Sequence, residues 1–338
     1  MNSNKLDVCI SHRIWQEALA ESYALILGAS PGEVVCITGP SRIGKSRLIS
    51  ELTKLLTPST ESIDEYMMLC LVVVAINSGP NGGFSTKSFT QRMLTAARHP
   101  ILSSDGADHQ LLHKIDRTTE GMMRLALERT LSARGTKFLF IDEAQHARYA
   151  GNNTYSAHAV LDSWKCLAHT AGLVLVLVGA YPILNILKNS PHLLGRKHQV
   201  HMPRYRMEAN DISEFHKIVS TFKQHLDFAD NFHDGFLSST EFLYQGSLGC
   251  IGLLRAWLMR AQAFGNYYRT GITLELLQKS KIPDCDLLEI EREISQGEDL
   301  LFSPSISAKS NTPARKITKP KSKPFQKKPQ RRKSNNRM

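Results

Sequence analysis

Eight residues, Gly39-Pro40-Ser41-Arg42-Ile43-Gly44-Lys45-Ser46, constrain the fold of this 338-residue chain more than any other feature. They follow Val34-Val35-Cys36-Ile37-Thr38, an apolar β-branched run that reads as a buried strand. They precede Arg47-Leu48-Ile49-Ser50-Glu51-Leu52, which has helical character. A G-x-x-x-x-G-K-S octapeptide between a strand and a helix is a P-loop. Its glycines let backbone N–H groups turn inward around phosphate oxygens, and the helix N-terminus adds a favourable dipole. Lys45 is placed to reach the β- and γ-phosphates, and Ser46 to offer a hydroxyl to Mg²⁺. Nucleotide contacts are therefore expected from Gly39, Pro40, Ser41, Arg42, Ile43, Gly44, Lys45, Ser46 and the adjoining Arg47, with ATP and Mg²⁺ as the bound species.

A second element is Phe138-Leu139-Phe140-Ile141-Asp142-Glu143, an apolar strand whose end delivers two adjacent carboxylates. Adjacent positions divide the work: Asp142 is expected to hold Mg²⁺ with Ser46, and Glu143 to polarise the attacking water as general base. A strand closed by ordinary acidic turn residues has the same spelling, so the upstream P-loop is what gives the pair its meaning. Together the two elements predict hydrolysis of a nucleoside triphosphate, with Glu143 and Lys45 as catalytic groups. No acceptor pocket or Arg-rich lid of a small-molecule kinase is identifiable.

Four runs read as buried parallel strands, because they are continuously apolar rather than alternating: Val34 to Thr38, Leu71 to Ile76, Lys137 to Ile141, and Leu173 to Val178. Gln199-Val200-His201-Met202 offers a fifth. Longer amphipathic stretches separate them, the pattern of an α/β fold with a central parallel sheet and helices on both faces. From Met207 onward the pattern is helical, with Ile212, Phe215, Ile218 and Val219 at amphipathic spacing and Ile251 to Phe264 as a strong helix. This predicts an α/β domain over 1–206, a small helical domain over 207–295 and a basic tail over 296–338.

The net charge of +11 is local to that tail. From Lys309 onward there are twelve Lys/Arg and no Asp/Glu, leaving 30 basic against 31 acidic residues in 1–308. From Ser303 the tail carries a single aromatic, Phe325, and too little apolar surface to offset ordering entropy, so it is read as disordered. Such a block suits phosphate backbones, a protein partner or simple solubility. No run approaches the ~18 apolar residues of a membrane span and Met1-Asn2-Ser3-Asn4-Lys5 lacks a signal-peptide core, so a cytoplasmic chain without membrane contact is expected. The six cysteines show no CxxC spacing, which speaks against zinc and disulfide frameworks alike.

The string Ile141-Asp142-Glu143-Ala144-Gln145-His146 resembles the AAA+ ATPases of the TnsC/TniB group, regulators of DNA transposition. The likeness covers about 10–280 and includes the early P-loop, Leu173 to Val178 followed by Gly179-Ala180, Arg196 beyond it, and Gly249-Cys250-Ile251-Gly252-Leu253-Leu254 opening a helix. The DEAQH string is shared with secretion-associated AAA+ ATPases of the ExeA type, so an ATPase outside transposition, an initiator-like loader among them, stays open beside it. A scaffold that binds ATP and hardly turns it over is the third alternative.

The resemblance implies a AAA+ P-loop NTPase fold with a helical lid. It implies ATP-bound homo-oligomeric rings or filaments on double-stranded DNA, linking a TniQ-like target selector to a TnsA/TnsB-like transposase. In such a ring an arginine from the neighbouring subunit stabilises charge on the γ-phosphate; Arg196 is the expected residue, with Arg204 and Arg206 as competitors. Arg255, three residues after Gly252, is expected to sense the nucleotide in its own subunit. Lys87, Arg92, Lys114 and Arg117 are the expected DNA contacts. One departure stands out: many AAA+ proteins end the fourth strand on a polar residue that orients the water, whereas Gly179-Ala180 offers only backbone. Slow or partner-dependent hydrolysis is the expected consequence; Asn77, at the end of the second strand, reads first as a turn-forming residue, with a hydrogen bond to Glu143 as the other reading.

Overall fold

The computed structural model describes residues 10–57, 66–78, 82–103, 113, 115–151, 154–188, 195, 197–229, 232–233 and 235–302. Lys114, Arg196 and the basic tail from Ser303 lie outside the described residues. Residues Met1–Leu301 form one compact unit.

Five parallel strands make one sheet in the order β2-β3-β4-β1-β5: β1 (Val34–Thr38), β2 (Cys70–Val74), β3 (Phe138–Asp142), β4 (Val174–Gly179) and β5 (Lys197–His201). This is the AAA+ P-loop NTPase architecture, and the expected α/β sheet is present. β1 and β4 are buried along their whole length, as their unbroken apolar runs require. β2 differs from the expectation of a strand buried on both faces. It is the sheet's edge strand, and Val72 and Val74 point outward while Leu71 and Val73 face the core.

The described helices that flank the sheet are α1 (Arg13–Gly28), α2 (Lys45–Leu56), α3 (Thr86–Ala96), α4 (Glu120–Ala133), α5 (Thr154–Ala171) and α6 (Pro182–Lys188). α2 is amphipathic, and its Leu48, Ile49, Leu52 and Leu56 face the core, burial worth ~1.5–3 kcal/mol for each side chain. α3 and α4 start where side chains cap them: the Ser85 hydroxyl accepts from Ser88 N–H, and the Thr119 hydroxyl from Met122 N–H.

The helical region comprises α7 (Ala209–Lys223), α8 (Thr240–Ser247), α9 (Ile251–Tyr268), α10 (Leu274–Lys279) and α11 (Asp284–Phe302). It has an apolar cluster of its own around Phe215, Phe222, Phe236 and Trp257, to which α1 adds Ile14. Trp257 satisfies its buried indole N–H on the Leu277 carbonyl at 2.8 Å. Two boundaries depart from the sequence reading. α11 continues to Phe302, so 296–302 are helical rather than tail. The helical region is also continuous with the sheet region, because Ile294 of α11 joins the sheet's core and Cβ-less Gly297 lies against the Tyr181 ring.

Candidate functional site

Parallel pairing brings the carboxyl ends of the strands to one side. Thr38 at the end of β1 is level with Gly179 of β4 and His201 of β5, and β3 ends at Asp142 on the far side of β4. In open α/β sheets the crevice outside these ends is where ligands bind. The P-loop leaves β1 here, and α2 begins at Lys45, N-capped by Gly44 at φ +110°. That backbone conformation favours glycine, and it lets the loop close tightly onto the helix start.

Lys45 is buried and its Nζ donates to the carbonyls of Gly39 (3.1 Å) and Pro40 (2.7 Å) within its own loop. Burial lowers its pKa, against the raising effect of the nearby Glu143 and Asp142 charges. A buried ammonium held only by loop carbonyls is a site that gains from an anion. Ser46 Oγ donates to Asp142 Oδ2 at 2.7 Å, and Asp142 Oδ1 accepts from Glu143 N–H at 2.8 Å. A hydroxyl and a carboxylate meeting at the crevice are hard oxygen donors of the kind Mg²⁺ takes, water and phosphate completing its shell. The residues present therefore fit the ion.

Glu143 sits at φ +55°, a left-handed conformation uncommon for a residue with a side chain. The chain then enters a 3₁₀ turn, Ala144–Tyr149, that folds back across β4. There Gln145 Nε2 donates to Glu143 Oε2, and Gln145 Oε1 accepts from Ala180 N–H at 3.1 Å. Asn77 does not meet Glu143. Its Oδ1 contacts His146 Nδ1 at 3.2 Å, and His146 Nε2 stands 4.0 Å from Glu143 Oε2, so the histidine is interposed.

Beside the loop lies a cleft of about 360 Å³ lined by His12, Trp15, Gly44, Arg47, Ile251 and Arg255, among others. One wall is apolar and aromatic and one is basic, a combination suited to a base and a phosphorylated sugar. Arg255, on the first turns of α9, is one of the residues lining this cleft. α9 reaches the loop because Gly252 has no side chain: a Cβ there would stand 1.9 Å from the Arg42 carbonyl oxygen. Sequence reasoning missed His12 and Trp15. His12 caps α1 and its Nδ1 also meets Tyr205 Oη at 2.9 Å. Burial lowers its pKa to about 4, with Glu214 opposing that shift and Arg13 assisting it.

A larger cleft of about 740 Å³ contains no P-loop residue. It is lined by Lys87, Arg92, Arg98, Gln91, Ser78 and Asp116, among others. Two of the expected DNA contacts, Lys87 and Arg92, thus share one basic cleft, and Lys87 Nζ donates to the Asp116 carbonyl at 2.5 Å. Arg117 is exposed next to it in sequence. Arg204 and Arg206 are both engaged by Glu298 of α11, at 3.3 and 3.5 Å.

Residues 29–187 match the family described as AAA domain. Among solved structures, the ORC2 protein of Aeropyrum pernix in its ADP form is similar at 15% identity and a TM-score of 0.56, covering 82% of this chain and 71% of that one. The Walker-type ATPase PABY2304 of Pyrococcus abyssi is similar at 14% identity and a TM-score of 0.51, covering 87% and 78%. A search of curated proteins returned no match. Residues 29–187 thus carry an AAA+ ATPase-like domain. No described helix is long and apolar enough to cross a membrane.

Proposed function

We propose that this AAA+ ATPase-like domain hydrolyses ATP with Mg²⁺, and that the bound nucleotide governs assembly of copies of the chain on double-stranded DNA. One observation carries the hydrolytic reading: the buried Lys45 ammonium, the Ser46–Asp142 contact and the Glu143 carboxylate converge at the ends of β1 and β3. Lys45 exchanges its two loop carbonyls for phosphate oxygens, which gives the buried charge a counterion. Ser46 and Asp142 would hold Mg²⁺, which would supply positive charge against the phosphates of the nucleotide. Glu143 takes a proton from water as the water oxygen bonds to the γ-phosphorus and the bond to the β–γ bridging oxygen breaks, leaving ADP and phosphate. Arg255 contacts the nucleotide from the lid, and Arg196 of a neighbouring copy completes the site in trans.

The DNA reading is supported by the basic cleft around Lys87, Arg92 and Arg98 and by the resemblance of Ile141 to His146 to transposition regulators. Lys114, Arg117 and the basic tail are further candidates for phosphate contact on the same reading. Contacts of this kind bind phosphates without reading sequence. A target chosen by another protein, here a TniQ-like selector that passes the site to a TnsA/TnsB-like transposase, suits such a surface. On this reading the chain works in the cytoplasm.

The test is phosphate release with and without duplex DNA, for wild type and Glu143→Gln, with electron microscopy of both on DNA. The expected result is slow, DNA-stimulated turnover in wild type and a trapped ATP-bound assembly in the variant. Equal turnover in the two would remove Glu143 from the mechanism, and monomers at saturating ATP and DNA would remove the assembly.

A further inference from the structure

The end of β4 is where the sequence lacks an orienting side chain, and it is also where the structure puts one from elsewhere. Gln145 is buried, 9% exposed, and is held at both ends. A backbone N–H can bond only the oxygen of an amide, so the Ala180 N–H fixes Oε1 toward β4 and turns Nε2 toward Glu143. Space for this exists because residue 179 is glycine: a Cβ at Gly179 would lie 2.5 Å from Gln145 Oε1. The missing side chain on β4 and the inserted one from the 3₁₀ turn are two sides of one arrangement. At the other end, the Glu143 charge, with that of Asp142, opposes the lowering of the Lys45 pKa by burial, so the carboxylate held by Gln145 lies within electrostatic reach of the phosphate-binding loop.

We propose that Gln145 is the positioning residue of the hydrolytic site: it ties the Glu143 carboxylate to the sheet through Ala180 and so supplies the orientation that Gly179 and Ala180 have no side chains to give. The inference rests on the reading of Glu143 as general base. With Oε2 held by Gln145, Oε1 is the oxygen that receives the proton of the attacking water. The left-handed backbone at Glu143 works with this brace. The strained turn aims the side chain, and the amide limits its rotation to one rotamer. A base misplaced by about 1 Å costs as much as ~100-fold in rate, so a single hydrogen bond of this kind has room to act.

The experiment compares wild type with Glu143→Gln, Gln145→Ala, Gln145→Glu and Gly179→Ala, reading kcat, KM and affinity for a fluorescent ATP analogue. Gln145→Ala is expected to lower kcat ~10- to 100-fold with KM and analogue affinity within about twofold. Gly179→Ala leaves Gln145 in place but pushes its amide aside, and is expected to reproduce the kcat loss. Gln145→Glu keeps the acceptor for Ala180 and sets a second carboxylate against Glu143. Lys45 from α2, Asp142 from β3 and His146 from the 3₁₀ turn face Glu143 unchanged in that variant. Its kcat is therefore expected to fall at least as far as that of Gln145→Ala, with KM and analogue affinity again within about twofold.

Wild-type kcat in both Gln145→Ala and Gly179→Ala, with Glu143→Gln inactive, overturns the role of Gln145 and leaves that of Glu143 standing. Parallel losses of kcat and analogue affinity in Gln145→Ala and Gln145→Glu also overturn it, since a mere plug at the end of β4 would behave so. Full activity in Glu143→Gln removes the general-base reading and this inference with it.

Discussion

Replacing Gly252 by Ala adds one methyl group at the place where the lid helix meets the phosphate loop. The added Cβ would stand 1.9 Å from the Arg42 carbonyl oxygen, 2.9 Å from its carbon and 3.2 Å from the Arg42 Cβ. Carbon and carbonyl oxygen meet no closer than ~3.3 Å, so the first contact is about 1.4 Å too short. The obstructing atoms are backbone, and no flexible side chain can swing aside to absorb the deficit. Either the P-loop deforms or the start of α9 withdraws, taking Ile251 and Arg255 with it from the wall of the nucleotide cleft. Overpacking of this kind costs ~1–3 kcal/mol. Placed on the bound state, that predicts ATP binding ~10- to 100-fold weaker, since each ~1.4 kcal/mol is tenfold.

Titration calorimetry with ATP and Mg²⁺ measures it, with Gly121→Ala as the control. A Cβ at Gly121 meets nothing within 4 Å, and alanine in the first turn of α4 should raise helix stability slightly. Unchanged ATP affinity in Gly252→Ala, with an intact fold, would refute the claim that α9 is seated on the loop.

Three other outcomes are expected. Lys45→Met should abolish ATP-induced thermal stabilisation without lowering the melting temperature of the ligand-free protein, because burial already disfavours the charged ammonium there; calorimetric melts with and without ATP check both halves. Ser46→Ala and Asp142→Asn should each raise the Mg²⁺ concentration needed for half-maximal turnover ~10-fold or more, while ATP binding in EDTA changes little; Mg²⁺ titrations decide it. His12 should make stability fall in acid. Between pH ~6.5 and about 4 the unfolded chain protonates this histidine and the folded chain resists, so the contribution is full above pH ~6.5 and shrinks as pH drops toward 4. Its ceiling is ~3 kcal/mol, and His12→Gln should flatten the slope of denaturant-derived stability between pH 7 and 4.5.

What could be read from the chain was what is local in it. The P-loop and the carboxylate pair are contiguous strings whose chemistry depends on spacing, and β1, β3 and β4 announce themselves as unbroken apolar runs. β2 was legible as a strand but not as an edge, because an apolar run says nothing about which neighbours the sheet order assigns. Gln145 was in plain view two residues after Glu143, yet its importance depends on Gly179 and Ala180, more than thirty residues on. The pairing of Arg204 and Arg206 with Glu298 spans over ninety residues, and no periodicity reports it. His12 and Trp15 enter the cleft only because α1 packs beside α2, a tertiary fact.

The return of α11 to the sheet has a mechanical consequence. The helical region touches the sheet region at several separated places, among them Ile14 of α1 within its apolar cluster, Gly252 against Arg42 at the start of α9, and Gly297 with Glu298 against Tyr181, Arg204 and Arg206 near its end. A body pinned at separated points has no free hinge about the segment that joins it. Rearrangement on nucleotide exchange then takes the form of shear, small sliding of packed surfaces over a few ångströms, rather than the wide swing of a lid. The Arg204–Glu298–Arg206 cluster is the contact such sliding must break or carry along, which makes it the site where a nucleotide state would be felt outside the crevice.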